Sequence, residues 1–259
     1  MRPKVRQFLS VIIIGAIGQA CASSAPATPP AFTPTEVIDL GALVTPDLPQ
    51  KLWGKAFMKQ MGFNRQNTFD VVSWKFPAGK DTISGSNGYY TLFNHGGPHV
   101  DAPNHFGAGK GIDSYAIASF AGSLKVFDAT SYPIGRSVPV ELFRGHVQPG
   151  DIVLIYTKYV PPQTDDAQPE LRTLTHEAAE FLATLPVRAY GTDAFSVESN
   201  ADLSTPMIHQ TFLTRGIPLY EQLFNVDKLL GKTRMYFVGT PLNIKDGDGM
   251  MVRPVVLVY

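Results

Sequence analysis

Between Asn94 and Phe106 the chain reads Asn94-His95-Gly96-Gly97-Pro98-His99-Val100-Asp101-Ala102-Pro103-Asn104-His105-Phe106, which places three of its six histidines and an aspartate within eleven positions. Two imidazoles and a carboxylate at His95, His99 and Asp101 are the donor mixture that borderline divalent ions such as Zn²⁺ or Mn²⁺ favour. Glycine is a poor helix former and proline breaks helices, so Gly96, Gly97, Pro98 and Pro103 argue against a helix here. Proline also biases the residue before it toward extended geometry. In an extended chain residues of equal parity share a face. His95, His99, Asp101 and His105 are all odd-numbered, so an extended segment points the four polar groups one way, as a metal or hydrolytic centre requires.

The elements that must position this stretch are mostly strands. Val37 to Leu40 starts the list, and a proline-containing loop through Pro46 and Pro49 leads to Trp53 and Gly54. Val71 to Trp74, Tyr89 to Phe93 and Leu124 to Asp128 follow, the second feeding directly into the histidines. Ile152 to Tyr156 is a continuous apolar run, as expected of a strand covered on both faces. Val187 to Tyr190, Met235 to Val238 and Val255 to Val258 complete the strands. The clearest helix spans Thr175 to Leu185. Thr175 caps it, Glu177 suits its positive end, and Ala178, Phe181, Leu182 and Leu185 recur at helical spacing. Glu141 to Arg144 and Met207 to Thr214 are shorter helix candidates. The pattern predicts one strand-rich α+β domain with a mixed, barrel-like sheet and flanking helices.

The 259 residues, 44% of them hydrophobic, suffice for one substantial core. Charge is balanced at 22 basic and 22 acidic residues, which gives no footprint for nucleic acid. The first 22 residues carry Arg2, Lys4 and Arg6, an apolar run from Phe8 to Ile17 and a small-residue exit, the form of a secretory signal peptide. That run is too short to span a membrane. The chain is therefore expected to be exported to the periplasm or secreted. Ala20-Cys21-Ala22 fits ordinary cleavage, whereas Gly18-Gln19-Ala20-Cys21 resembles a lipoprotein box with glycine in place of leucine. Cys21 is the sole cysteine, so a lipid anchor would attach there and no disulfide forms. Residues 23–35, rich in Ser, Ala, Pro and Thr, read as a flexible linker to a domain over 36–259.

The run from His95 to His105 resembles the H-x-G-T-H-x-D-x-P-x-H signature of the cyclase family of metal-dependent hydrolases, which includes bacterial kynurenine formamidase and isatin hydrolase. Pro98 replaces the signature threonine, which puts in question a hydrogen bond behind the ligands. Further likeness covers Ile38-Asp39-Leu40 with Leu52-Trp53-Gly54, Gly150 to Ile155, Gly191 to Glu198 (Glu198 standing where the family has aspartate), and Pro241 to Arg253. It thus extends over the mature chain. The resemblance implies a cyclase-like swivelling β/β/α fold and homo-oligomeric assembly. It implies that His95, His99 and Asp101 hold metal and that His105 is the catalytic acid/base. It further implies that His209 and Glu221, twelve positions apart, complete a two-ion site. By residue type alone, His209 reads equally as a helix-surface residue, and Glu221 as a solvated carboxylate.

The activity implied is hydrolysis of an aryl formamide or a cyclic, isatin-like amide by metal-activated water, with one or two Zn²⁺ or Mn²⁺ ions. Lactone or ester hydrolysis is the rival reaction, and a non-catalytic metal- or ligand-binding protein the rival class. Trp53, Phe93 and Phe106 are candidates for lining a substrate pocket, with core packing an equal alternative. His146 and His176 read as surface residues. Asp246 to Gly249 reads as a turn, since the rest of a calcium loop is missing. Gly107 to Gly111 lacks the GK[ST] element of a phosphate loop.

Overall fold

The structure is a computed structural model that describes residues 32–63, 65–107, 109–198 and 207–259. The leader, Cys21 and most of the linker lie outside the described residues. Pro34–Tyr259 forms one compact unit.

Among the described residues, thirteen strands and four α-helices follow one another along it. The strands are β1 (Glu36–Asp39), β2 (Thr68–Ala78), β3 (Asp81–Thr91), β4 (His99–Asp101), β5 (Ala121–Asp128), β6 (Ser137–Val138) and β7 (Ile152–Tyr156). They continue as β8 (Thr173–Leu174), β9 (Ala189–Thr192), β10 (Leu219–Glu221), β11 (Met235–Val238), β12 (Gly249–Met251) and β13 (Val255–Val258). The helices are α1 (Leu48–Trp53), α2 (Lys55–Gln60), α3 (His176–Thr184) and α4 (Met207–Leu213).

Nine strands form a single curled sheet in the order β1-β13-β11-β5-β7-β9-β10-β4-β12. Its middle, from β5 through β7 and β9 to β10, is parallel. Its flanks are antiparallel. This is the mixed, strand-rich α+β architecture expected. The two-residue strand period shows in β7. Val153 and Ile155 join one core with Ala178, Leu182 and Phe212, and Ile152 and Leu154 join a second with Phe237, Val256 and Tyr220. Burying a large side chain such as Leu182 or Phe212 contributes roughly 1.5–3 kcal/mol. In α3 the Thr175 hydroxyl accepts from the Ala178 amide at 3.1 Å, the predicted cap.

Three features depart from expectation. The segment read as a loop through Pro49 contains α1, because proline is tolerated in the first turn of a helix, and there Pro49 sits. The strands expected at Val71 to Trp74 and Tyr89 to Phe93 belong to one long hairpin of β2 and β3, paired along their whole eleven-residue lengths. That hairpin stands apart from the main sheet, with Val71, Phe76, Ile83 and Tyr89 exposed. Glu141 to Arg144 is helical only as a 3₁₀ turn over Val140–Leu142.

Candidate metal centre and active site

The histidine-rich stretch is not one extended segment. Only His99 to Asp101 is a strand. Before it the chain bends: the Gly96 amide donates to the Phe93 carbonyl (2.9 Å), and a Cβ on Gly96 would stand 2.5 Å from Pro49. Helix α1 therefore packs against a turn that admits glycine alone, and this turn carries His95. After the strand, Pro103 opens a 3₁₀ turn, Pro103–Phe106, closed by Gly107 at φ 74°. That turn carries His105. The shared-parity argument holds for His99 and Asp101 and fails for the other two, whose side chains converge through bends instead.

Antiparallel pairing with β10 sets Glu221 directly opposite His99. Val100 and Tyr220 face the opposite core, so His99, Asp101 and Glu221 share the face over which α4 lies. From α4 His209 descends, 4% exposed, so it is a buried residue rather than a helix-surface one. Asp101 takes the centre. Its Oδ1 is 3.1 Å from His95 Nε2 and 3.2 Å from His99 Nε2, and its Oδ2 is 3.6 Å from His209 Nε2. Glu221 spans the same divide, 3.4 Å from His99 Nε2 through Oε2 and 3.3 Å from His209 Nε2 through Oε1. Each carboxylate thus shows one oxygen to His99 and the other to His209. Gly249 lies opposite Asp101 on β12, where a Cβ would come within 2.8 Å of His95 Nε2.

The donor set fits a divalent cation. His95 Nε2, His99 Nε2 and both Asp101 oxygens are buried and make no hydrogen bond, the kind of orphaned group that native interiors rarely leave unexplained. Donor atoms of His95, His99 and Asp101 lie within 4.8 Å of one another, as do those of Asp101, His105 and His209. The ring orientations are set from behind. His99 Nδ1 donates to the Gly97 carbonyl (2.8 Å), which turns its Nε2 toward the cluster. His209 Nδ1 donates to Glu198 (3.2 Å), which also accepts the His209 amide (2.8 Å). Because Gly97 supplies the His99 acceptor, that ligand needs no hydroxyl at position 98. Pro98 is buried, and its carbonyl accepts from Val252 (2.8 Å).

Electrostatics points the same way. Burial opposes charge on His99, yet Asp101 and Glu221 outweigh it and carry its pKa up to about 10. Burial likewise opposes charge on His209, and Asp101, Glu198 and Glu221 carry it well above the usual range. Burial favours a neutral Asp101, but the facing His105 and His99 keep it ionised far below the usual carboxylate range. For His95 burial wins and the pKa falls. Among the described residues, the ion pairs of Asp101 and Glu221 are all with histidines. Protons on imidazole there stand where a cation would, and metal binding releases such protons.

A cavity of about 410 Å³ opens on this cluster, a volume suited to a small ligand. Trp53, Phe93 and Phe106 all line it, together with Phe57, Phe63 and Phe195, which sequence reading missed. Trp53 anchors that wall, 5.4 Å from Phe93 and 5.6 Å from Phe195 between ring centres. His105 stands at the open side with its side chain 28% exposed. Sequence reading also missed Asp248: the turn expected over Asp246 to Gly249 is confined to its start at Lys245 and Asp246, Gly249 already belongs to β12, and Asp248 between them faces His105. The facing His105 holds the Asp248 pKa down to about 2. Glu198 was visible only as a departure from the family aspartate. His146 and His176 are exposed, as expected.

The fold and donor set define a protein with a buried cluster of histidines and carboxylates, fit to hold a metal ion, at one end of a curled sheet. Comparison with known proteins makes this specific. A family profile described as putative cyclase matches residues 27–199. Kynurenine formamidase of Erythrobacter litoralis is 27% identical over 223 residues, 84% of this chain and 92% of the relative. That of Bacillus thuringiensis is 28% identical over 189 residues, 71% and 85% of the two chains. Isatin hydrolase A of Labrenzia aggregata superposes with a TM-score of 0.66 at 21% identity, covering 86% of this chain and 93% of that one. An isatin hydrolase bound to the product analogue thioisatinate gives 0.67 at 20% identity, covering 86% and 92%. At such identities the structural likeness establishes the fold. The chain belongs to the putative cyclase family.

Proposed function

We propose that this chain is an exported amidase that cleaves the C–N bond of an aryl formamide or a cyclic, isatin-like amide. The observation that carries the reading is the convergence of five buried donors, His95, His99, Asp101, His209 and Glu221, beneath an aromatic-walled cavity with His105 at its rim. The relatives named above act as kynurenine formamidase and isatin hydrolase, in keeping with a compact planar amide. When bound, a divalent ion such as Zn²⁺ or Mn²⁺ acidifies water and polarises a carbonyl.

The chain's own residues do the rest. Asp101 and Glu221, each facing both His99 and His209, give the site room for one ion or two. The Trp53, Phe93 and Phe195 rings exclude water from one side and hold a flat substrate against the donors. His105 has a ring nitrogen within 4.8 Å of Asp101 and His209. From there it takes a proton from attacking water and passes it to the leaving nitrogen, with no covalent enzyme intermediate. Export, by the leader of the first 22 residues, and homo-oligomeric assembly belong to the same proposal. The exposed apolar side chains of β2 and β3 offer a surface that a second copy would cover.

The test is hydrolysis of formanilide, isatin and a simple lactone by protein loaded with Zn²⁺ or Mn²⁺. The amides should turn over, and His105→Ala should lower kcat by roughly 10²–10⁴-fold while metal stays bound. Turnover of the lactone alone would move the reaction to ester hydrolysis. Inactivity of the loaded protein on all three probes would leave a binding protein.

A further inference from the structure

Asp248 faces the Nδ1 edge of two histidines, a metal-cluster ring and the acid/base ring. Its Oδ2 lies 3.9 Å from His95 Nδ1 and 3.9 Å from His105 Nδ1. The two rings stack, with centres 4.2 Å apart and planes 23° from parallel. The carboxylate is fixed on its other side, where Oδ1 accepts from Asn94 Nδ2 at 2.7 Å. Its backbone is fixed as well: the Asp248 carbonyl accepts from Ala102 (2.9 Å), and Asn94 Nδ2 also reaches the Gly249 carbonyl (3.2 Å). Asp248 is therefore clamped between the turn that carries His95 and the segment that leads to His105.

Donor atoms of His95, His105 and Asp248 lie within 4.8 Å of one another, a spacing that also invites reading them as a further ion site. Ring geometry argues against that. An ion bound by both rings must lie in both ring planes, and two nearly parallel planes 4.2 Å apart do not meet near the carboxylate.

We propose that Asp248 is a positioning residue that keeps the proton of His105 on Nδ1. This leaves Nε2 of His105 free to accept a proton from water. The separations of 3.9 Å exceed hydrogen-bond length, so the carboxylate must close by about 1 Å on one ring. Such tightening is usual when an active site fills. His99 and His209 have their own acceptors in Gly97 and Glu198, and Asp248 supplies the corresponding acceptor for His105. The inference rests on the hydrolase reading above.

Asp248→Asn tests it sharply. Asn94 would keep the side-chain oxygen at its own end, so the new amide NH₂ would replace Oδ2 and present a donor to His105 Nδ1. Two-dimensional ¹⁵N NMR of histidine-labelled, Zn²⁺-loaded protein reports each tautomer directly. The wild type should show Nδ1–H on His105, and Asp248→Asn should show Nε2–H. On formanilide the variant's kcat should fall about 10–100-fold with KM unchanged and metal retained. Asp248→Glu, which keeps an acceptor, should preserve the wild-type tautomers. An unchanged His105 tautomer in Asp248→Asn overturns the proposal, and so does metal loss with undiminished rate per bound ion. If Asp248→Asn fails to fold, Asp248→Ala takes its place: gain of Nε2–H on His105 supports the proposal and persistence of Nδ1–H overturns it. If formanilide is not hydrolysed by the wild type, the amidase reading fails, while the NMR arm still decides the role of Asp248.

Discussion

The two halves of the site sit a few ångströms apart and are built differently. In the inner half His95, His99, Asp101, His209 and Glu221 are 0–4% exposed. His99, Asp101 and Glu221 project from paired strands, and His209 from a helix packed over them. In the outer half the side chains of His105 and Asp248 are 28% and 47% exposed, and both stand on turns. Holding a cation calls for anionic donors that water cannot screen or satisfy, because desolvation strengthens attraction and leaves ligation as the remaining compensation. Moving a proton calls for a group near solvent and free to shift by an ångström. Rigid sheet serves the first need and short turns serve the second.

Substitutions can break or sharpen that contrast. The largest effect is expected for Asp101→Ala, which removes the carboxylate shared by all three inner histidines. Metal affinity, measured by competition with a chelating dye, should fall by more than the roughly 100-fold that loss of a supporting residue causes. Retained affinity would mean that the inner half is not the ion site. A smaller effect is expected at Glu198, which touches His209 but none of the shared carboxylates. Glu198→Gln keeps the shape and weakens the acceptor, so affinity should fall about 10–100-fold. In the proposed two-ion site that loss should fall on the ion nearer His209, seen as a change in the second binding step alone. Equal loss at both steps would erase the distinction between the two ends of Asp101.

Much of the site could be read from the sequence because four of its polar groups lie in one short stretch, where glycine and proline exclude a helix. The same glycines and prolines made the geometry illegible. They bend the chain on both sides of a three-residue strand, so a rule for extended segments placed the right residues together by the wrong route. Strands β10 and β12 are also three residues long, too short for any periodicity to register. That is why Glu221 emerged only through family likeness, and Asp248 not as a site residue. Helix α1 was hidden by Pro49, a residue that marks a helix start as readily as a loop. The central apolar strand Ile152 to Tyr156 and the capped helix α3 were plain, since burial on both faces and a cap leave strong local signals. The β2 and β3 hairpin was half seen, because both strands are exposed on both faces, and the serines and glycines of β3 leave little alternation to read.

Binding of a divalent ion by the inner cluster is the property on which the proposed chemistry depends. The most direct measurement is the metal content, by mass spectrometry, of protein purified without chelators. It should approach one or two Zn²⁺ or Mn²⁺ ions per chain, given donor sets on both sides of Asp101. A content below about 0.2 ions per chain, unchanged after dialysis against either metal, would contradict it, because five buried donors of this chemistry bind such ions tightly.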